Sequence, residues 1–424
     1  MNRTAKVGLA ALVAALMAVG GGYGAGAAIH HVGTLPDAVT ATAQPHVVAD
    51  KKHPPKPAPP KPVEFTIVGV GDVLLHEPVN RSAGRAGPLD YSPLLAGLDP
   101  WIRGADLAIC NFETPVAPPG QAVTTYPVFG IPAQIVTDLA DQGWDGCSTA
   151  SNHTLDRGVA GVTATLDTFD VAHLGHVGSG RTEAEANSPQ IYQIVRKDRT
   201  ITIAHIAMAY GTNGIPIPAS APWAVNIIDT DWAIGQAVAA RQAGADMVVV
   251  SMHDGVEYQA TPTQEQLSSA QALAESGQVD LVIGHHVHVP QPIVKLDGGP
   301  RGEGMWVAYG LGNFLSNQSS ACCAAATSNG ILMTATVIAQ PGQPPQVTGV
   351  TWTATTVDIK AGHRIRVISD AINEPGAGTL SVAQLQARRD LVAGVVGDVA
   401  PERTSPPTPA PGVTVTVVPR ETPQ

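Results

Sequence analysis

Five short polar clusters stand out in this sequence: Gly71-Asp72 with His76, Asn111-Phe112-Glu113, Ser151-Asn152-His153 with Asp156, His253 with Glu257, and His285-His286-Val287-His288. Together they offer carboxylates, an amide oxygen and imidazoles, the mixed oxygen and nitrogen donor set that suits Zn, Mn or Fe at a catalytic site. No CxxC spacing occurs, which argues against thiolate ligation. Each cluster alone is weak evidence. Asp72 after a glycine also reads as a turn or cap residue, His76 as an ordinary polar residue, Asn152-His153 as a helix-capping pair, and His253 as a buried, hydrogen-bonded histidine. Glu113 is harder to dismiss, because an ionised carboxylate seldom sits unpaired at a buried strand end. His286 and His288, at i and i+2, would point to one side of an extended segment, and that spacing is the most specific single signal. His205, inside a strand-like run without polar neighbours, reads as structural.

For the clusters to act together, other elements must bring them together. Each follows an apolar run: residues 63–71 (VEFTIVGVG), 106–110, 144–150, 245–252 (ADMVVVSM) and 279–284 (VDLVIG) read as strands. Between them, residues 93–104, 132–142, 161–173, 230–243 and 262–276 carry helical patterns, and 200–210 reads as a further strand. Alternating strands and helices predict an α/β architecture with a largely parallel sheet, whose carboxyl edge gathers loops into a site. Residues 305–309, 331–337 and 347–357 read as strands without intervening helices, which suggests a second sheet closing a sandwich. No internal repeat is visible.

In order, GD, NFE, NHxxDxG (residues 152–158), HxGxEY (253–258), GHHxHV (284–289) and YxLGNF (309–314) resemble the CapA family of poly-γ-glutamate capsule-biosynthesis proteins. The resemblance spans about residues 65–316. It implies a calcineurin-like metallophosphoesterase fold: α/β, a two-sheet sandwich flanked by helices in four layers, with one or two divalent metal ions (Mn, Zn or Fe). It further implies that Asp72, Glu113, Asn152, His253, His286 and His288 are metal ligands. His153 would protonate or polarise the substrate, and Asp156 would orient a neighbouring group. The sequence departs from the family pattern at Asp254, where Trp is usual, at Val287, where Pro is usual, and at Ser151, where Asn or Ala is common. The implied reaction is metal-assisted hydrolysis or transfer on a phosphoester or an anionic, amide-linked polymer. Binding or export of a polymer without turnover is the other reading.

Composition bounds the rest. Hydrophobic residues make up 44% of the 424 residues but aromatics only 4%, so Val, Ala, Leu and Ile must fill the core. A net charge of −11 and the lack of a basic stripe argue against a nucleic-acid partner. Residues 1–29 hold Arg3 and Lys6 ahead of an uncharged apolar stretch, which reads as a signal peptide or a retained membrane anchor. Positive charge on its amino-terminal side alone predicts that the following chain lies outside the cytoplasmic membrane, secreted or anchored in the cell envelope. Residues 30–62 read as a Pro/Lys-rich linker, 63–400 as the main domain and 401–424 as a Pro/Thr-rich disordered tail. Cys110 and Cys147, near the ends of two strands at one site edge, are expected to be able to pair. Cys322 and Cys323 are adjacent and are not expected to share an ordinary bridge.

Overall fold

A computed structural model describes residues 61–196 and 199–420. The segment expected to be a signal peptide or anchor and all but the end of the expected linker lie outside these residues. The strands in chain order are β1 (Val63–Val73), β2 (Leu107–Phe112), β3 (Gly146–Ser148), β4 (Gly175–Val177), β5 (Gln190–Arg196), β6 (Arg199–Ala209), β7 (Met247–Asp254) and β8 (Leu281–His286). They continue with β9 (Ile293–Leu296), β10 (Met305–Ala308), β11 (Asn313–Leu315), β12 (Asn329–Ala339), β13 (Gln346–Asp358), β14 (Arg364–Val367) and β15 (Thr414–Val418). One sheet has the order β14-β13-β12-β1-β2-β3-β4, with β11 beside β1; the other runs β15-β5-β6-β7-β8-β10-β9. Within them β1 to β4 are parallel neighbours, as are β6, β7, β8 and β10.

Side-chain alternation explains the layering. Phe65 and Ile67 of β1 and Leu107 and Ile109 of β2 face inward, sharing one buried core with Ile203 of β6, Met247 and Val249 of β7, and Leu281 and Ile283 of β8. The alternate residues face outward. Val68 and Val70 pack with Leu95, Trp101 and Leu139 of helices, while Val248 and Val250 pack with Ala237 and Leu273 of the helices Thr230–Gln242 and Gln264–Glu275. Helices, sheet, sheet, helices: the fold is the expected α/β two-sheet sandwich in four layers.

The structure corrects three expectations. The late strands do not form the second sheet by themselves: β12 extends the first sheet antiparallel to β1 and β13 follows antiparallel to β12, whereas β10 joins β8 in the second. Residues 401–420 do not form the expected disordered tail. Their alternating TVTVV run pairs with β5 along the sheet edge, and Arg420 is buried beyond it, donating to the carbonyls of His176, Ser179 and Glu185. The backbone hydrogen bonds of an open edge strand outweigh the extended bias of its composition. Finally, Cys322 and Cys323 are joined to each other, because a turn stacks both backbone N–H groups on the Ser319 carbonyl and brings the side chains together. Cys110 and Cys147 are register partners on β2 and β3, disulfide-linked with Cα atoms 4.4 Å apart. Among the described residues no helix is long and apolar enough to cross a membrane.

Candidate metal centre

The carboxyl ends of β1, β2, β3, β7 and β8 open on the same edge of the two sheets. Two motif glycines make the gathering possible. A Cβ on Gly71 would lie 1.8 Å from the Gly312 carbonyl oxygen, and one on Gly284 would lie 1.9 Å from that of Tyr309. The segment from Tyr309 to Gly312 therefore crosses over both strand ends only because each lacks a side chain. Asp72 follows Gly71 on β1, Glu113 follows β2, Asn152 and His153 sit in the turn after β3, and His253 lies on β7. Ser151 fixes that turn: its hydroxyl donates to the Glu113 carbonyl at 2.5 Å and accepts from the His153 N–H at 3.0 Å.

The donors fall into two groups that share Glu113. Asp72, Glu113 and His288, all buried, place ligand atoms within 4.8 Å of one another. His288 Nδ1 lies 3.0 Å from Asp72 Oδ2, and its Nε2 lies 3.6 Å from Glu113 Oε1. On the other side His253 Nε2 is 2.8 Å from Asn152 Oδ1 and 3.9 Å from Glu113 Oε1, and the His286 ring is 4.9 Å from that of His253. His153 stands beside them with Nδ1 2.7 Å from Asp156 Oδ2, an oxygen that also accepts from the Phe129 N–H at 2.7 Å.

Charge in this pocket is poorly compensated by the protein itself. Neither oxygen of Glu113 has a hydrogen-bond partner, and the same holds for His286 Nδ1 and both ring nitrogens of His285. A buried carboxylate in that condition is costly. Burial, partly opposed by His288 and reinforced by Asp72 and Glu257, pushes the Glu113 carboxyl well above the usual range. For His288 burial is outweighed by Glu113 and by the hydrogen bond to Asp72, which hold the imidazole up to about 9. Asp72 is lowered in turn, because the hydrogen bond and charge of His288 outweigh its burial. Burial depresses His253 well below its ordinary value and, with the field of His288, brings His286 to about 3. Neutral imidazoles at His253 and His286 and the unpartnered oxygens of Glu113 are what a divalent cation requires.

The i, i+2 histidines meet by a different route from the one expected. His286 and His288 have φ of 90° and 60°, so the segment is left-handed at both positions rather than extended. Asn213 and Tyr258, at φ 51° and 68°, share this conformation at the same edge. It is sparsely populated by non-glycine residues and persists where surrounding structure enforces it. The departures from pattern stay off the donors: Asp254 follows His253 by one residue on β7 and so faces outward, accepting from the Gly255 N–H at 2.8 Å, and Val287 is fully buried. His76 is not part of either donor group; its Nδ1 accepts from the Asn317 N–H at 3.4 Å.

A model of one family, "Bacterial capsule synthesis protein PGA_cap", matches residues 66–318, more than half of the chain. The chain belongs to the PGA_cap family. The relatives that it resembles include the capsule biosynthesis protein CapA of Bacillus anthracis, 28% identical over 60% of this chain and 60% of that one. The PGA biosynthesis protein CapA of Bacillus subtilis is 29% identical over 59% of this chain and 62% of its own length. The chain thus spans about three fifths of the length of these PGA_cap relatives. Among solved structures it is similar to the NAD nucleotidase of Haemophilus influenzae, at 13% identity and TM-score 0.43, covering 80% of this chain and 58% of that one. The calcineurin-like phosphoesterase YfkN of Bacillus subtilis is similar at 12% identity and TM-score 0.40, covering 78% and 97%.

Four side chains at the centre were given no role in the sequence reading. Asn111 donates to Asp72 Oδ1 at 2.9 Å, and Asn313 Oδ1 lies 3.1 Å from His288 Nδ1. Both lay inside the NFE and YxLGNF motifs, so the signal was present. His285 lay in plain view beside its two neighbours; its Nδ1 is 3.8 Å from Asp72 Oδ1. Asn213, which accepts from Asn152 Nδ2 at 3.1 Å, follows no motif and had no signal.

Proposed function

We propose that this protein is a metal-dependent hydrolase or transferase acting on a phosphoester in the synthesis of a capsule or other cell-surface polymer of the poly-γ-glutamate type. The observation that carries this reading is Glu113: a buried carboxylate without a hydrogen-bond partner, standing between two donor groups, with a histidine–aspartate pair beside it. Asp72, Glu113 and His288 would hold one divalent cation and Glu113, Asn152, His253 and His286 a second. Bound there, such cations supply Lewis acidity toward a phosphoryl oxygen and the positive charge this acidic protein otherwise lacks.

The remaining work falls to the chain's own groups. Asp156 accepts the hydrogen at His153 Nδ1, which fixes the tautomer and leaves Nε2 to hold or release a proton toward a leaving oxygen. Asn111 and Asn313 orient Asp72 and His288, so the donors are set before anything binds. Near-complete burial of Asp72, Glu113 and His253 excludes bulk water from the donors.

The test is turnover of an aryl phosphomonoester and an aryl phosphodiester by the purified protein with added Mn²⁺ or Zn²⁺. Metal-dependent release of the phenol supports the reading. A fully metallated protein that hydrolyses neither ester overturns it and leaves polymer binding or export as the role. We also propose that the domain works outside the cytoplasmic membrane, on the strength of Arg3 and Lys6 preceding the apolar stretch. A carboxyl-terminal reporter active only in the cytoplasm would contradict that.

A further inference from the structure

The mouth of the metal centre is lined by rings. Among the described residues the exposed large hydrophobic side chains include three aromatics, Tyr126, Tyr210 and Tyr258, at 74%, 42% and 38% exposure. All three stand next to the site. The Tyr210 ring is 4.4 Å from that of His286, and Tyr258 is 6.2 Å from His288. Tyr126 lies 6.5 Å from Phe129, which itself packs edge-on against His153 at 4.8 Å. In a chain with only 4% aromatic residues, placing every exposed aromatic of the described residues at one mouth is not what a solvated surface needs.

Two further observations show that the rings are held there. Tyr258 adopts a φ of 68°, costly for a bulky residue, and is fixed by its N–H donating to the Val287 carbonyl at 2.8 Å, between the two motif histidines. Tyr210 is fixed through its N–H to the His253 carbonyl at 3.0 Å. Two tyrosines are therefore tied by backbone to the segments that carry the metal donors.

Outside the donor histidines, the charged side chains that act on Tyr210 and Tyr258 are acidic. Besides burial, the carboxylates of Glu257 and Glu113 act on Tyr210 and Tyr258. The cation next in sequence to the His153–Asp156 pair is Arg157, and its guanidinium donates to Ala122 O, Thr124 Oγ1 and Gln121 Oε1, bracing the loop that leads to Tyr126. A polyanion laid across this mouth would meet acidic groups and exposed phenol rings rather than a row of cations.

We infer that the metal centre takes a ligand with one anionic group, placed on the metals, joined to an uncharged ring that stacks among Tyr126, Tyr210 and Tyr258, and that it does not bind a run of a polyanion. The inference rests on the metal-centre reading and narrows its substrate class. Aromatic faces suit both planar rings and the apolar face of a sugar.

The experiment is calorimetric titration of the Mn²⁺-loaded full chain with methylphosphonate, phenylphosphonate, cyclohexylphosphonate and a tetramer of γ-linked glutamate. At least one ring-bearing phosphonate is expected to bind roughly tenfold more tightly than methylphosphonate. A planar preference identifies an aryl or base-like group, and a saturated preference a sugar-like one. The ring advantage is expected to vanish in a Tyr210→Ala, Tyr258→Ala double variant and to survive in the corresponding Tyr→Phe variant, with Mn²⁺ content measured in each. Equal affinities for all three phosphonates, a ring advantage that persists without the tyrosines, or tight and salt-sensitive binding of the glutamate tetramer would overturn the inference. Failure of the underlying reading looks different: no phosphonate would bind in a manner that depends on Mn²⁺.

Discussion

Glu113 and Glu185 are each 1% exposed, yet the protein treats their charges in opposite ways. Glu185 is gripped by Arg181, whose backbone N–H, Nε and Nη2 donate to its two oxygens at 2.6, 3.1 and 2.5 Å. Arg181 also pairs with Asp167 and Asp170, and Asp170 with His176. These bonds outweigh burial and hold the Glu185 carboxyl below its usual range. Glu113 has imidazoles nearby but no hydrogen-bond donor, and its carboxyl is raised. One buried charge is closed by hydrogen bonds from the protein; the other receives none. Burial alone therefore does not mark a functional acid, whereas burial without a partner does.

Replacing each glutamate breaks the comparison most directly. Glu113→Ala should lower divalent-metal affinity by more than about 100-fold and reduce phosphoesterase activity to background, while leaving the metal-free fold as stable as before or more so. Calorimetric metal titration and a denaturant melt of the same sample check both halves. If His153 acts as proposed from beside the donors, His153→Ala should slow turnover by roughly 10²–10⁴-fold with metal content unchanged. Glu185→Ala should do the reverse of Glu113→Ala, costing about 3 kcal/mol of stability in urea while metal binding persists.

Deleting residues 413–424 should cost roughly 2 kcal/mol, because it uncovers β5 and removes Arg420 from the Glu185 carbonyl. A thermal melt with and without the deletion measures it. The smallest effect, taken per pH unit, is with pH. With His288 held up to about 9, a metal must displace a proton at any lower pH, so affinity should rise about tenfold per pH unit and level off above about 9. The raised Glu113 adds to the same trend. The contribution of Glu185, whose carboxyl is depressed, is present above the ordinary carboxylate range and lost only as pH falls through its lowered value. Metal titrations across pH should follow the first dependence and not the second.

How much of this could be read from the chain depends on what encodes it. Strand ends such as Gly71-Asp72 and Gly284 were legible because an apolar run and a glycine mark them locally. The His153–Asp156 contact follows from three-residue spacing in a tight turn. The partner of a strand is not written in its period, so β12 and β13 could not be placed in the first sheet from their residues. The left-handed backbone of His286 and His288 has no local sign, since neither position holds the glycine that ordinarily marks positive φ. The alternation of Thr414–Val418 was present but was hidden by the prolines around it.

The central claim is that the two donor groups sharing Glu113 hold divalent cations, and elemental analysis of the purified chain after equilibration with Mn²⁺ or Zn²⁺ tests it most directly. The account predicts two metal ions per chain, fewer than one in Glu113→Gln, and an unchanged content in Glu185→Ala. A wild-type chain that retains no metal, or a Glu113→Gln chain that keeps the full content, would contradict it.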